Sequence, residues 1–289
     1  MIEEEIIGKK YLILKELDSG ATSRVYLVKS IVNEEIYAAK VYMNHSHYYL
    51  NEIEILKMLN LQENPGIVRL IEYGEEPIIR NGIAEEENYQ YIILNYLPNK
   101  DLFYYIKDLN GFNERTAKFF FYKIVKAVEH CHNYGICHED IKLENILLDE
   151  NNYPVLCDFG YSRIMKKDND SNILTDFLGT EKYASPEKLK GVSSDGTKND
   201  IFSLGVILFC MIFVIFGFPN ATRHSKLYKL IIRKKYSEYW KELEKKLGKE
   251  KIDNISPEFK RLYLKMVAYK PNERPSIEEI LNDDWFKNL

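Results

Sequence analysis

The chain has 289 residues, 45% of them hydrophobic and 13% aromatic, with 40 basic against 44 acidic side chains. That composition excludes a wholly disordered chain, and a formal charge of −4 gives no general case for nucleic-acid binding. Four cysteines in this length exclude a disulfide scaffold and suit a reducing, cytoplasmic setting. The charge is uneven, because residues 1–97 hold 9 basic and 16 acidic side chains and residues 98–289 hold 31 and 28. The opening MIEEEIIGKKYLILKEL lacks the basic-then-apolar layout of a secretory signal, and no lipidation motif accompanies it. The expectation is a soluble intracellular protein of about two globular units.

In chain order, Tyr11 to Val28 and Glu35 to Met43 are rich in Tyr, Val, Ile and Leu and read as strands. Tyr49 to Leu61 places Leu50, Ile53, Leu56 and Leu59 at three-residue steps, the pattern of an amphipathic helix. Strands are expected near 67–73 and 89–94, separated by EEPIIRNGIAEEEN, read as an acidic loop around an Asn81-Gly82 turn. After Pro98 the pattern turns helical, most clearly over 115–131, 200–216 and 257–268. Short β-like runs at 146–148 and 155–156 flank the turn DENNYP. Strands followed by helices predict an α+β chain of two lobes, a small one over 1–97 and a larger one over 98–289.

The densest chemistry lies in CHEDIKLENILLDENNYPVLCDFG, where His138, Asp140, Lys142 and Asn145 fall within eight residues and Asp158-Phe159-Gly160 follows. This joint spacing resembles the catalytic loop and metal-binding motif of the eukaryotic protein kinases. The resemblance extends upstream to Tyr37-Ala38-Ala39-Lys40 and to Glu52 in LNEIEIL, the Lys and Glu of a positioning ion pair. Downstream it takes in Gly179-Thr180, Ser185-Pro186-Glu187, Asp200 and Arg274, running from about Tyr11 to Phe286.

What the resemblance implies is a two-lobed fold and transfer of the γ-phosphate of ATP, with Mg²⁺, to protein hydroxyls. Asp140 would orient or deprotonate the acceptor hydroxyl, Lys142 would sit by the γ-phosphate, and Asn145 and Asp158 would hold Mg²⁺. Leu94 would be the gatekeeper and Asn95, Tyr96 and Leu97 the hinge. Leu17, Gly20, Val25 and Ala38 would enclose the nucleotide. Asp101 and Glu144 would stand at the edge of its site, where a basic substrate residue could meet them. Asp200 would brace the catalytic loop, and Arg274 would pair with Glu187. Lys142 together with Thr180 resembles the Ser/Thr-specific branch, and ISPEFKRLYLKMV loosely resembles the calcium/calmodulin-dependent and energy-sensing group.

Three features depart from the family pattern. The glycine-rich loop is reduced to Asp18-Ser19-Gly20-Ala21-Thr22-Ser23, keeping only its middle glycine and adding an anion near an anionic ligand. Glu139 stands where most of the family has the Arg that receives an activation-segment phosphate, and the matching acceptor position is Asp176. Ser185 stands where Ala is usual. Weakened ATP binding and activity independent of phosphorylation at that site are the expectations, with Thr175 as the neighbour that would contradict the second. The alternative is a scaffold of the same fold without phosphotransfer.

Other signals are read as structural. The apolar run 201–219 is long enough to span a membrane but is assigned to a central core helix. His130, Cys131, His132, Cys137 and His138 lack zinc-site spacing. GVSSDGTK lacks the strand that leads into a phosphate loop, DNDSN lacks the later residues of a calcium loop, and His45 and His47 are placed in a solvated loop. Residues 226–251 carry ten basic and four acidic side chains, read as solvated helices with a regulator as a further option. Cys157 is expected in the nucleotide cleft, packed rather than reactive.

Overall fold

A computed structural model describes residues 5–20, 22–43, 46–165, 179–192 and 194–287. Six antiparallel strands form the first part of the chain: β1 (Glu5–Ile7), β2 (Tyr11–Ser19), β3 (Ser23–Ser30), β4 (Ile36–Tyr42), β5 (Leu70–Arg80) and β6 (Ile83–Asn95). They close into a barrel in the order β1-β2-β3-β4-β6-β5. The closing strand β1 pairs Ile7 with Tyr11 on one side and Ile78 on the other. It was not anticipated from the sequence. Left-handed φ values at Gly8 and Lys9 make the turn that folds it back onto β2.

The acidic stretch expected as a loop is instead the outer half of a long hairpin. Arg80 pairs with Ile83 around a two-residue turn, and Asn81 and Gly82 both take positive φ, the geometry that matches strand twist. Its glutamates come in consecutive runs, Glu75-Glu76 and Glu85-Glu86-Glu87, which conceal the alternation of a strand, while Ile78 and Tyr91 are buried in the barrel.

Helix α1 (His47–Leu59) crosses the sheet, capped by Ser46 and ended by Asn60, whose side chain bonds Val68 and Leu70. Ile53, Leu56 and Leu59 are buried as expected. Leu50 is 65% exposed, and Tyr49 takes the inward position in its place. His47 opens this helix rather than lying in a loop.

The rest is mainly helical: α2 (Leu102–Asp108), α3 (Glu114–Asn133), α4 (Pro186–Leu189), α5 (Gly196–Phe213), α6 (Lys226–Ile232), α7 (Tyr236–Leu247), α8 (Lys249–Asp253), α9 (Pro257–Met266) and α10 (Ile277–Leu281). Two small two-stranded sheets pair β7 (Ile136–Cys137) with β10 (Arg163–Ile164) and β8 (Ile146–Leu148) with β9 (Pro154–Leu156). Helix α5 is long and apolar enough to cross a membrane, yet nearly all of its apolar residues are enclosed by protein. Its Gly205 lets α9 approach, since a Cβ there would lie 2.8 Å from the Met266 and Val267 side chains. The basic stretch 226–251 forms α6, α7 and α8. Several of its lysines pair with local glutamates, as Lys226 and Lys245 do with Glu242.

Candidate active site

The pleat of the sheet sorts the residues of β4. Ala39 and Val41 point into the barrel beside Tyr91 and Ile93, whereas Ala38 and Lys40 project from the other face. Register places Val25 opposite Lys40 and Leu94 opposite Ala38, so these four share one surface. Asp18 lies across from Val25, and its carboxylate accepts the Ser19 backbone N–H at 2.9 Å. Leu17 is partly exposed beside it. The Gly20 N–H donates to the Ser23 carbonyl at 2.9 Å, closing the turn between β2 and β3. Ala21 lies outside the described residues.

From this surface the Lys40 ammonium reaches Glu52 Oε2 at 2.6 Å and Asp158 Oδ1 at 2.7 Å. Glu52 is fully buried on α1, and its carboxylate also accepts the Tyr42 hydroxyl and the Phe159 N–H. Burial alone would lower the Lys40 pKa, but the Asp158 and Glu52 carboxylates outweigh it and hold the ammonium charged well above its usual range. In return the Lys40 charge holds the Asp158 carboxyl down to about 2 against the opposing effect of burial. Phe159 is fully buried with its ring 4.8 Å from that of His138, and Gly160 is buried beside it.

The loop after β7 is fixed from below by Asp200, whose two oxygens accept the backbone N–H groups of His138 and Glu139, each at 2.9 Å. The same carboxylate meets His132 Nε2 at 2.9 Å. Burial would raise the Asp200 pKa, but this bond and the His132 charge pull it below the ordinary value. His138 in turn bonds the Cys157 carbonyl, tying the loop to the strand that delivers Asp158. So fixed, Asp140 is 4% exposed and its carboxylate gathers three donors. They are Lys142 Nζ at 2.8 Å, Asn145 Nδ2 at 3.2 Å and the Thr180 N–H at 3.1 Å. Lys142 also donates to Thr180 Oγ1 at 3.4 Å, and despite burial its bond to Asp140 raises its pKa.

Around this centre, Asn95 accepts the Arg69 N–H through its side chain, Tyr96 is half-buried and Leu97 is buried. Asp101 caps α2, accepting the Tyr104 N–H at 2.8 Å. Glu144 is exposed and accepts the Tyr183 hydroxyl at 3.0 Å. Further along, Arg274 and Glu187 form a buried two-pronged pair, with Arg274 Nη2 to Glu187 Oε2 at 2.8 Å. The expectations for Thr175, Asp176 and the DNDSN stretch lie outside the described residues.

Several contributors went unnoticed in the sequence. Tyr42 bonds Glu52, and Asn51 donates to the carbonyls of Gly160 and Ser162 at 3.0 and 2.9 Å. Tyr183 holds Glu144, and Lys188 meets Glu139 at 2.9 Å. Only a tyrosine two residues after the site lysine and an asparagine beside the helical Glu offered a local signal. His132, Cys137 and Asp200 come within reach of one metal ion, a grouping that spacing did not suggest, but Asp200 already braces the loop with both oxygens. Burial pushes the Cys137 and Cys157 thiols well above their ordinary range, which argues against reactive thiolates.

The family model described as the protein kinase domain matches residues 11–286. The CBL-interacting serine/threonine-protein kinase 13 of Arabidopsis thaliana is 30% identical over 293 residues, covering 98% of this chain and 52% of that protein. The NUAK family SNF1-like kinase 1 of Mus musculus is 31% identical over 283 residues, covering 98% and 38%. The CBL-interacting protein kinase 11 of Oryza sativa subsp. japonica is 27% identical over 290 residues, covering 98% and 52%. The chain thus spans about half or less of the length of these curated relatives.

Proposed function

The chain belongs to the protein kinase domain family, and from that membership we propose that it is a protein serine/threonine kinase, transferring the γ-phosphate of Mg-ATP to Ser and Thr hydroxyls of protein substrates. One observation carries the reading. Lys40, Glu52 and Asp158 converge from a strand, a helix and a loop, and backbone bonds join the Asp158 segment to the loop that holds Asp140, with Cys157 N to Asn145 O at 2.9 Å.

In this reading Asp140 orients the acceptor hydroxyl and takes its proton as the new P–O bond forms and the bond to ADP breaks. Lys142, already on Asp140, is placed to offset charge on the transferred group. The donors suit a hard cation. Asp158 is ionised, and Asn145 commits its amide N–H to Asp140, leaving its amide oxygen to ligate. Mg²⁺ held there would neutralise phosphate charge. Lys40 would meet the α/β-phosphates. Leu17, Gly20, Val25, Ala38, Leu94, Asn95, Tyr96 and Leu97 would enclose the nucleoside.

Glu139 supports activity without activation-segment phosphorylation, since a carboxylate repels the phosphate an Arg would receive. Glu144 and Asp101 support a modest basic preference ahead of the acceptor. The net charge of 226–251 supports an acidic regulatory partner there, and two of the relatives are named for interacting with CBL. Four buried, free cysteines suit a cytoplasmic setting.

The test is phosphotransfer by the purified chain to a generic protein substrate with Mg-ATP, beside Asp140→Asn. We expect the variant to lose activity by ~10²-fold or more while retaining ATP. No transfer by either protein, with ATP still bound, would leave the phosphotransfer-free scaffold as the better reading.

A further inference from the structure

Glu139 and Ser185, two of the positions where this chain departs from the family pattern, belong to one buried network. The Glu139 side chain is 3% exposed and its backbone takes a left-handed φ of 65°. Its carboxylate meets Lys188 Nζ at 2.9 Å, and Lys188 also donates to the Glu139 carbonyl. The second partner is Asn199, whose Nδ2 lies 3.4 Å from Glu139 Oε1. Ser185 in turn donates its hydroxyl to Asn199 Oδ1 at 2.7 Å, which fixes the amide with its N–H₂ toward Glu139. Gly196 completes the fit, because a Cβ there would stand 2.6 Å from Glu139 Oε1.

A carboxylate this deep is stable only when paired and hydrogen-bonded. Lys188 supplies the charge, and by holding both the side chain and the carbonyl of Glu139 it fixes the backbone directly before Asp140. Asp200 holds the preceding peptide through the Glu139 N–H, so the residue is fixed on both sides. Lys188 sits just past the segment whose Thr180 N–H reaches Asp140.

From this geometry, and resting on the kinase reading above, we infer that Lys188 is a positioning residue that acts through Glu139 on Asp140. It joins the catalytic loop to helix α4, just past the Thr180 segment, by an internal cation–carboxylate clamp, where the family pattern uses an Arg and an added phosphate. The clamp is built into the sequence and needs no modification. Ser185 and Asn199 serve it by orienting the second donor.

The experiment compares phosphatase-treated wild type with Lys188→Met, Lys188→Arg and the neutral pair Glu139→Gln/Lys188→Met. The neutral pair leaves no unpaired buried charge and so keeps the test open should Lys188→Met fail to fold. Expected are a ~10-fold or greater fall in kcat for Lys188→Met and for the neutral pair, with KM for ATP within about twofold and Lys188→Arg within about threefold of wild type. A folded neutral pair with wild-type kcat overturns the inference. Hydrogen exchange over 136–145 and 179–192 reads the clamp independently of activity. The Thr180 amide must exchange faster in the neutral pair, and unchanged exchange overturns the inference even if the wild type transfers no phosphate. An inactive wild type with the expected exchange change would count against the kinase reading alone.

Discussion

Lys40 carries two carboxylates on one ammonium, and the balance between burial and charge decides its state. Taking three ions partly out of water is costly, so each must be bonded to another. Glu52 meets this with Lys40, the Tyr42 hydroxyl and the Phe159 N–H, while Asp158 leaves 39% of its side chain open to solvent. The folded Asp158 carboxyl is depressed to about 2 from its ordinary 3.8, so its stabilising contribution is present above pH 3.8 and is lost as the pH falls toward 2. Lys40 has the opposite sign, since its raised pKa leaves its contribution intact below the ordinary lysine range. We therefore expect Asp158→Asn to show a shallower loss of stability than wild type between pH 4 and pH 2. Urea midpoints measured at pH steps check this, and parallel curves would refute it.

Elements deliver these residues through turns whose geometry is strict. Gly111 ends the turn after α2 with φ 95°, its N–H bonded to Ile106 O, and a Cβ would lie 2.3 Å from the Ile212 carbonyl of α5. Gly111→Ala should cost about 2–4 kcal/mol, combining left-handed strain with overpacking against a backbone that cannot move aside. Urea denaturation measures it. The β2–β3 turn is looser. Asp18 is exposed, and among the described residues its carboxylate accepts only its neighbour's N–H, so it adds charge near the proposed nucleotide surface. Asp18→Gly should tighten ATP binding about threefold at low salt, with the gain fading as ionic strength rises. Unchanged affinity by calorimetry would remove the repulsion argument.

At the scale of the molecule, the two halves share one buried apolar cluster, and long-range bonds tie them together. Asn51 and Glu52 on α1 reach the Asp158 segment, and Ile67 bridges Leu156 of β9. Arg274 joins regions 87 residues apart. It bonds both oxygens of Glu187 and the carbonyls of Lys198 and Ala268, and its guanidinium lies 4.9 Å from the Phe202 ring. Arg274→Met should destabilise by about 3–5 kcal/mol, because Glu187 would be left as a buried, unpaired carboxylate. Chemical denaturation of the purified chain reads this directly, and a loss below about 1 kcal/mol would show the pair to be dispensable.

The groups of the candidate site stood out in the sequence because chemistry ties them to short spacings. His138, Asp140, Lys142 and Asn145 share one loop, and Lys40 and Glu52 follow the order of a strand and then a helix. The central helix was legible for a similar reason, since an apolar run must be enclosed somewhere. What the sequence could not show were the partners brought in from a distance. Lys188 faces Glu139 across 49 residues, Asn51 reaches Ser162 across 111, and β1 closes the barrel against β5 from the far end of the sheet. Local periodicity reports which face of an element seeks burial. It does not report which buried charge will find which counter-charge, because that is settled only when packing excludes water and leaves each ion the partner the fold has placed beside it.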